Sequence, residues 1–159
     1  MRSDLGSEGA KGARGAALAQ SDRRFNMVNG MEISVPCSAG NLIDQITILA
    51  IKKSRIAEEE KREKVSRELD VLSRIRVNIP QLNTPLVLRL EQSLSEVNGI
   101  LWDVEDELRA MEARKEFGER FIMAARSVYQ TNDRRAELKS YIDRIVGSTF
   151  SEQKWFSGP

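Results

Sequence analysis

The sequence predicts an all-α protein: a helical bundle built on a long antiparallel helical hairpin, with two shorter N-terminal helices packed across it. Three observations carry that expectation. Val87, Leu90, Leu94, Val97, Leu101, Val104, Leu108 and Met111 recur at alternating steps of three and four, the a/d repeat of a helical seam. Charged residues make up 31% of the chain and aromatic residues 6%, a balance that suits long solvated helices better than a sandwich or barrel. Helix punctuation agrees with the repeat, with Thr84 and Pro85 at its start, Gly118 past its end and Gly147 closing the next periodic stretch.

Residues 1–30 are of a different kind. Gly6, Gly9, Gly12 and Gly15 alternate with alanines and scattered Arg, Ser and Asp, and no apolar core of a secretory signal is present. This stretch is expected to be a disordered tail, with Met27 or Met31 as the better start of a single helical domain over residues 31–159. That domain is long enough to bury a real core. Glu32 to Pro36 alternates like a short strand, and Pro36 keeps it from being a long or central one.

Ser38 is a good N-cap for a first helix from about Ala39 to Ala57. Leu42, Ile43, Ile46, Ile48, Leu49, Ala50 and Ile51 cover that helix on all sides, the mark of a buried element. Asp44 and Thr47 are carried into the same burial, and a buried carboxylate requires a charged or hydrogen-bonding partner. Residues 58–64 form a run of mixed charge, read as solvated helix laced with i,i+4 pairs. Val65, Leu69, Leu72 and Ile75 or Arg76 mark a second helix that ends before Asn78-Ile79-Pro80. A turn-rich connector follows, and then the third helix runs from Pro85 to about Arg114. The fourth, from about Glu119 to Val146, opens apolar at Phe121, Ala125 and Val128. It passes through Asn132, Arg135 and Lys139 before recovering at Ile142 and Val146. Phe150, Trp155 and Phe156 in the last segment are expected to fold back on the bundle.

Composition excludes several kinds of chemistry. With no histidine in the chain, Ser-His-Asp catalysis, histidine zinc sites and histidine acid–base steps are ruled out. A single cysteine, Cys37, forbids an internal disulfide and suits a reducing, cytoplasmic setting. The formal net charge of +1 supplies no field for nucleic acid, and no apolar run is long enough to span a bilayer. No metal site is expected, and no cofactor is identified by any motif.

What stands out is a polar constellation. Asn98, Trp102, Glu105, Arg109 and Glu112 share one face of the third helix. In an antiparallel hairpin that face meets Tyr129, Asn132, Asp133, Arg135 and Lys139, with Asp44, Lys52 and Arg55 available from the first helix. One reading is a satisfied network that fixes register. The other is a concave site for an anionic small molecule, phosphorylated or nucleotide-linked, with Arg109, Arg135 and Lys139 as clamps, Glu105 as base or orienter, and Trp102 and Tyr129 as walls.

Three stretches together carry a resemblance: Leu42-Ile43-Asp44-Gln45-Ile46-Thr47-Ile48-Leu49, Asn98-x-x-Leu101-Trp102-x-x-Glu105-Asp106-x-x-Arg109, and Ala125-Arg126-Ser127-Val128-Tyr129-x-x-Asn132-Asp133-Arg134-Arg135-Ala136. In this order they resemble DUF6165, a bacterial family of small proteins, over about residues 32–154. The family supplies no activity. Its loose association with cell-surface polysaccharide enzymes implies a nucleotide-sugar ligand or a glycosyltransferase partner as an expectation. The leading function is therefore a ligand-binding or interaction module with a polar inter-helix site. The alternatives are an enzyme using Glu or Asp with Arg or Lys at that site, and a structural protein that forms homodimers through surplus seam.

Overall fold

The computed structural model describes residues 33–151, and the architecture below belongs to the compact unit that begins at Val35. Four helices follow one another: α1 (Ala39–Arg55), α2 (Glu59–Val77), α3 (Pro85–Arg114) and α4 (Glu119–Val146), with a short 3-10 turn at Pro80–Asn83. The packing of α3 against α4 is the most extensive, and α1 lies against all three other helices. The fold is the expected helical bundle on a long hairpin.

Each boundary has a local cause. Ser38 caps α1, its hydroxyl accepting from the Asn41 amide at 3.1 Å. Thr84 caps α3 in the same way through the Val87 amide, with Pro85 at the first helical position, where no N–H is required. Gly147 ends α4 at φ 66°, a left-handed conformation suited to a residue without Cβ. The hairpin turn departs from expectation in one detail. Lys115, not the nearby glycine, takes the left-handed position at φ 59°, while Gly118 is extended and precedes α4.

The mixed charge run is the start of α2, and its ion pairs are exposed i,i+3 and i,i+4 contacts: Lys61 to Glu58, Arg62 to Glu59, Lys64 to Glu60. The inner row of α2 ends on Arg76 rather than Ile75, which is exposed. Arg76 donates to the Asn83 side chain at 3.0 Å and to Glu91 at 2.5 Å, so it ties the α2–α3 connector to α3. Asn83 in turn donates to the Val77 and Ile79 carbonyls. The strand expected around residues 32–36 is corrected. Its described residues, from Ile33 on, are exposed coil, because Ile33 and Val35 find no partner strand among the described residues. Phe150, expected to fold back on the bundle, is 53% exposed; the tail over residues 1–30 and the Trp155 and Phe156 rings lie outside the described residues.

The core gathers Leu42, Ile43 and Ile46 of α1, Leu82 of the turn, Val87 and Leu94 of α3, and Leu138 and Ile142 of α4. All of it belongs to the end of the hairpin that carries the α3 N-terminus and the α4 C-terminus. Toward the tip only Leu101 and Met111 are buried, and the hairpin there is two helices thick. Among the described residues, no helix is long and apolar enough to cross a membrane.

Candidate functional site

α1 lies in the groove of the hairpin, antiparallel to α4, and polar contacts mark its path. At its start the Gly40 amide donates to Asp143 Oδ1 at 2.6 Å, and the Ala39 amide to Ser148 Oγ at 3.3 Å. A carboxylate there satisfies open backbone donors and meets the positive end of the helix dipole. Asp143 is 3% exposed, and its Oδ2 has no hydrogen-bond partner among the described residues. One residue on, Lys139 Nζ donates to Asn41 Oδ1 at 3.2 Å. The two backbones come close at this crossing, where a Cβ on Gly40 would lie 2.5 Å from the Lys139 carbonyl oxygen.

The next turn of α1 carries Asp44, and around it the central network closes. Arg135 donates from Nε to Oδ1 at 2.9 Å and from its terminal nitrogen to Oδ2 at 2.6 Å, a bidentate pair. Asn98 donates to the same Oδ1 and to the Thr47 hydroxyl, both at 2.9 Å. The Thr47 hydroxyl in turn donates to the Asp44 backbone carbonyl at 2.8 Å. Arg135 also reaches Asn132. Asp44 of α1 thereby ties Asn98 of α3 and Arg135 of α4 together. Asp44, Thr47 and Asn98 are buried, whereas the Arg135 side chain keeps 27% of its surface.

Of the expected constellation, Asp44, Asn98, Asn132, Arg135 and Lys139 come together along this α1 seam, and Asp133 is half-buried beside Asn132. The others do not join it. Glu105 and Arg109 are exposed and pair along their own helix, Arg109 also donating to Asp106 at 2.5 Å. That hydrogen bond holds the Asp106 carboxyl below, and the Arg109 guanidinium above, its ordinary value. Arg55 pairs with Asp103, which raises its pKa, and lies 5.8 Å from the Trp102 ring centroid. Lys52 is half-buried apart from the network, and Tyr129 is 56% exposed. The residues expected to face one concave site are thus spread along a groove in two halves. α1 has only 17 residues and ends at Arg55, level with Asp103, so Glu105, Arg109 and Tyr129, nearer the tip, remain in solvent. Arg135 is likewise not an open anion clamp, because the Asp44 carboxylate already occupies its guanidinium.

Sequence reasoning passed over Asp143 and Gly40. A signal for Asp143 existed: it lies four residues after Lys139 and eight after Arg135, on the same row of α4. Also missed was a second concavity on the far side of α1, a groove of about 540 Å³ between α1, α2 and α3. Ile46, Val77 and Leu88 give it apolar walls, and the Arg76–Glu91 pair gives it a polar one.

Fold and site together define a small all-α protein whose helices are clamped by a buried polar seam and whose hairpin extends beyond that clamp. The chain belongs to the family described as a family of unknown function (DUF6165), which matches residues 31–159. No curated protein and no solved structure matches it.

Proposed function

We propose that this protein is an interaction module whose working surface is the open half of the hairpin groove. The observation that supports this reading is the contrast between the two halves. Ile122, Ala125, Tyr129, Asn132, Arg135, Lys139 and Asp143 follow one row of α4, at steps of three and four. α1 covers the end from Arg135 onward. Nearer the tip, Ile122, Ala125 and Tyr129 are exposed although Ile122 and Ala125 are apolar and Tyr129 carries an apolar ring, with Ile122 at 46% and Tyr129 at 56%. Scattered exposed apolar residues are ordinary on a protein surface, but a continuous set aligned with a helix-seating row is the mark of an interface. The buried network serves this function by holding the hairpin rigid, so that the exposed half is presented without ordering cost.

The test is the size of the native assembly in extracts of cells producing the tagged chain. Wild-type protein is expected to migrate above its monomer mass. The double substitution Ile122→Glu, Tyr129→Glu should return it to that mass while leaving the melting temperature unchanged. A wild-type chain that is monomeric in extracts and also, once purified, up to millimolar concentration removes the reading, as does an assembly indifferent to the substitutions.

A second reading, small-ligand binding, is favoured by the groove behind α1, whose volume falls within the range of ligand pockets, about 300–1,000 Å³. Arg76 and Glu91 balance each other there, so the lining suits a ligand with uncharged polar groups better than a free anion. A thermal-shift screen across nucleotides, nucleotide sugars, sugar phosphates and neutral sugars checks it. A ligand at a hundred times its Kd stabilises by about 2.7 kcal/mol. Ser95→Phe, which fills the groove, should cancel the shift. A screen without a hit retires this reading.

A further inference from the structure

We propose that the open half of the hairpin groove is covered by the same half of a second copy, the two arms lying antiparallel across a two-fold axis. This rests on the reading of that half as an interaction surface, and it names the partner.

Continuity with an existing interface is the first argument. The row of α4 that seats α1 runs on toward the tip as Tyr129, Ala125 and Ile122, with nothing of α1 over it. The arm is a pair of helices with a single seam between them, and two such pairs closing on each other make a four-helix bundle. The seam residues Val104, Leu108, Phe121 and Val128 are half-buried, and a second layer would complete their burial.

Charge identifies the occupant. The α3 side of the open half carries Glu105, Arg109 and Glu112, alternating in sign at i, i+4 and i+7, so a partner helix of one sign would meet repulsion at some position. An antiparallel copy presents the same alternation reversed. A register shifted by one step then sets each arginine against a glutamate of the other chain. Such self-complementarity is what a two-fold interface requires, because each patch must bind itself. The pairs these residues now make within α3 are exposed and exchangeable. On the α4 side Arg126 is exposed and forms no ion pair among the described residues, leaving it for a carboxylate of the other arm.

Area sets the strength. From Asp103 to Arg114 the helical arm is about 17 Å long and about 20 Å wide across two helices, so two copies bury on the order of 700 Å² in all. That is the size of a weak, reversible association, half or less of a durable one.

Sedimentation velocity on the full-length chain, from micromolar to millimolar concentration, tests the proposal. The sedimentation coefficient is expected to climb toward that of a dimer, and Ile122→Glu should hold it at the monomer value with helical circular dichroism unchanged. Position is read by a short bis-maleimide in the Cys37→Ser background. Ala125→Cys should give a covalent dimer, and Ala110→Cys, on the opposite side of the arm, should not. A chain monomeric throughout, a dimer unaffected by Ile122→Glu, or cross-linking equal at both positions overturns the proposal. A purified monomer that still forms larger, Ile122-dependent assemblies in cell extracts overturns the second copy alone and leaves the interaction surface standing.

Discussion

Gly40→Ala is expected to destabilise the fold by about 2–3 kcal/mol, the upper part of the range for overpacking a close contact. The added methyl would stand 2.5 Å from the Lys139 carbonyl oxygen and 2.9 Å from its carbonyl carbon, and both are backbone atoms of α4 that cannot rotate away. Relief requires the start of α1 to lift off α4. That movement lengthens the Gly40–Asp143 hydrogen bond and pulls Asp44 away from Arg135, so the cost reaches beyond the clash. Gly99→Ala is the matched control. It too is helical, but a Cβ there meets nothing within 4 Å. It should be neutral or stabilising by up to about 1 kcal/mol, from the gain in helix propensity. Thermal or urea unfolding of the two variants decides the matter, and equal stabilities would show that the α1–α4 approach is not tight.

Asp44→Ala should cost a similar or larger amount, about 2–4 kcal/mol. Removing one partner of a buried ion pair usually costs about 3–5 kcal/mol, because the other charge is left without compensation. The partial exposure of Arg135 lets water return to its guanidinium, which lowers the expected figure. Asn98 loses one acceptor and keeps the Thr47 hydroxyl. Replacing the pair with apolar residues of like size, Asp44→Leu with Arg135→Met, should recover much of the loss, since no charge then remains to be satisfied. A double-mutant cycle by urea unfolding yields the coupling. Additive effects of Asp44→Ala and Arg135→Met would contradict the bidentate geometry.

These two expectations show why part of the site was legible and part was not. The apolar surround of Asp44 announced a buried carboxylate, and buried charge demands a partner. The polar centre of the fourth helix, Asn132, Arg135 and Lys139, announced where that partner would come from. Asn98 was placed by its phase relative to the α3 seam. Glu105, Arg109 and Trp102 share that phase and so looked equivalent to Asn98. What separates them is how far α1 reaches along the groove, and a repeat along one helix carries no information about where another helix stops.

By itself the sequence determined the helices and their ends. Periodicity of apolar residues, a hydroxyl before each of α1 and α3, Pro85 at a first turn and Gly147 past a last one act within a few residues of the chain. Their physics is local and can be read locally. The tertiary structure alone decided the crossing of Gly40 over Lys139, the capping of α1 by Asp143 and the end of the inner row of α2 on Arg76. It alone also divided the hairpin groove into a half closed by α1 and a half left open. Each of these depends on the distance and angle between elements far apart in the chain, which packing of the whole core sets and no single helix encodes.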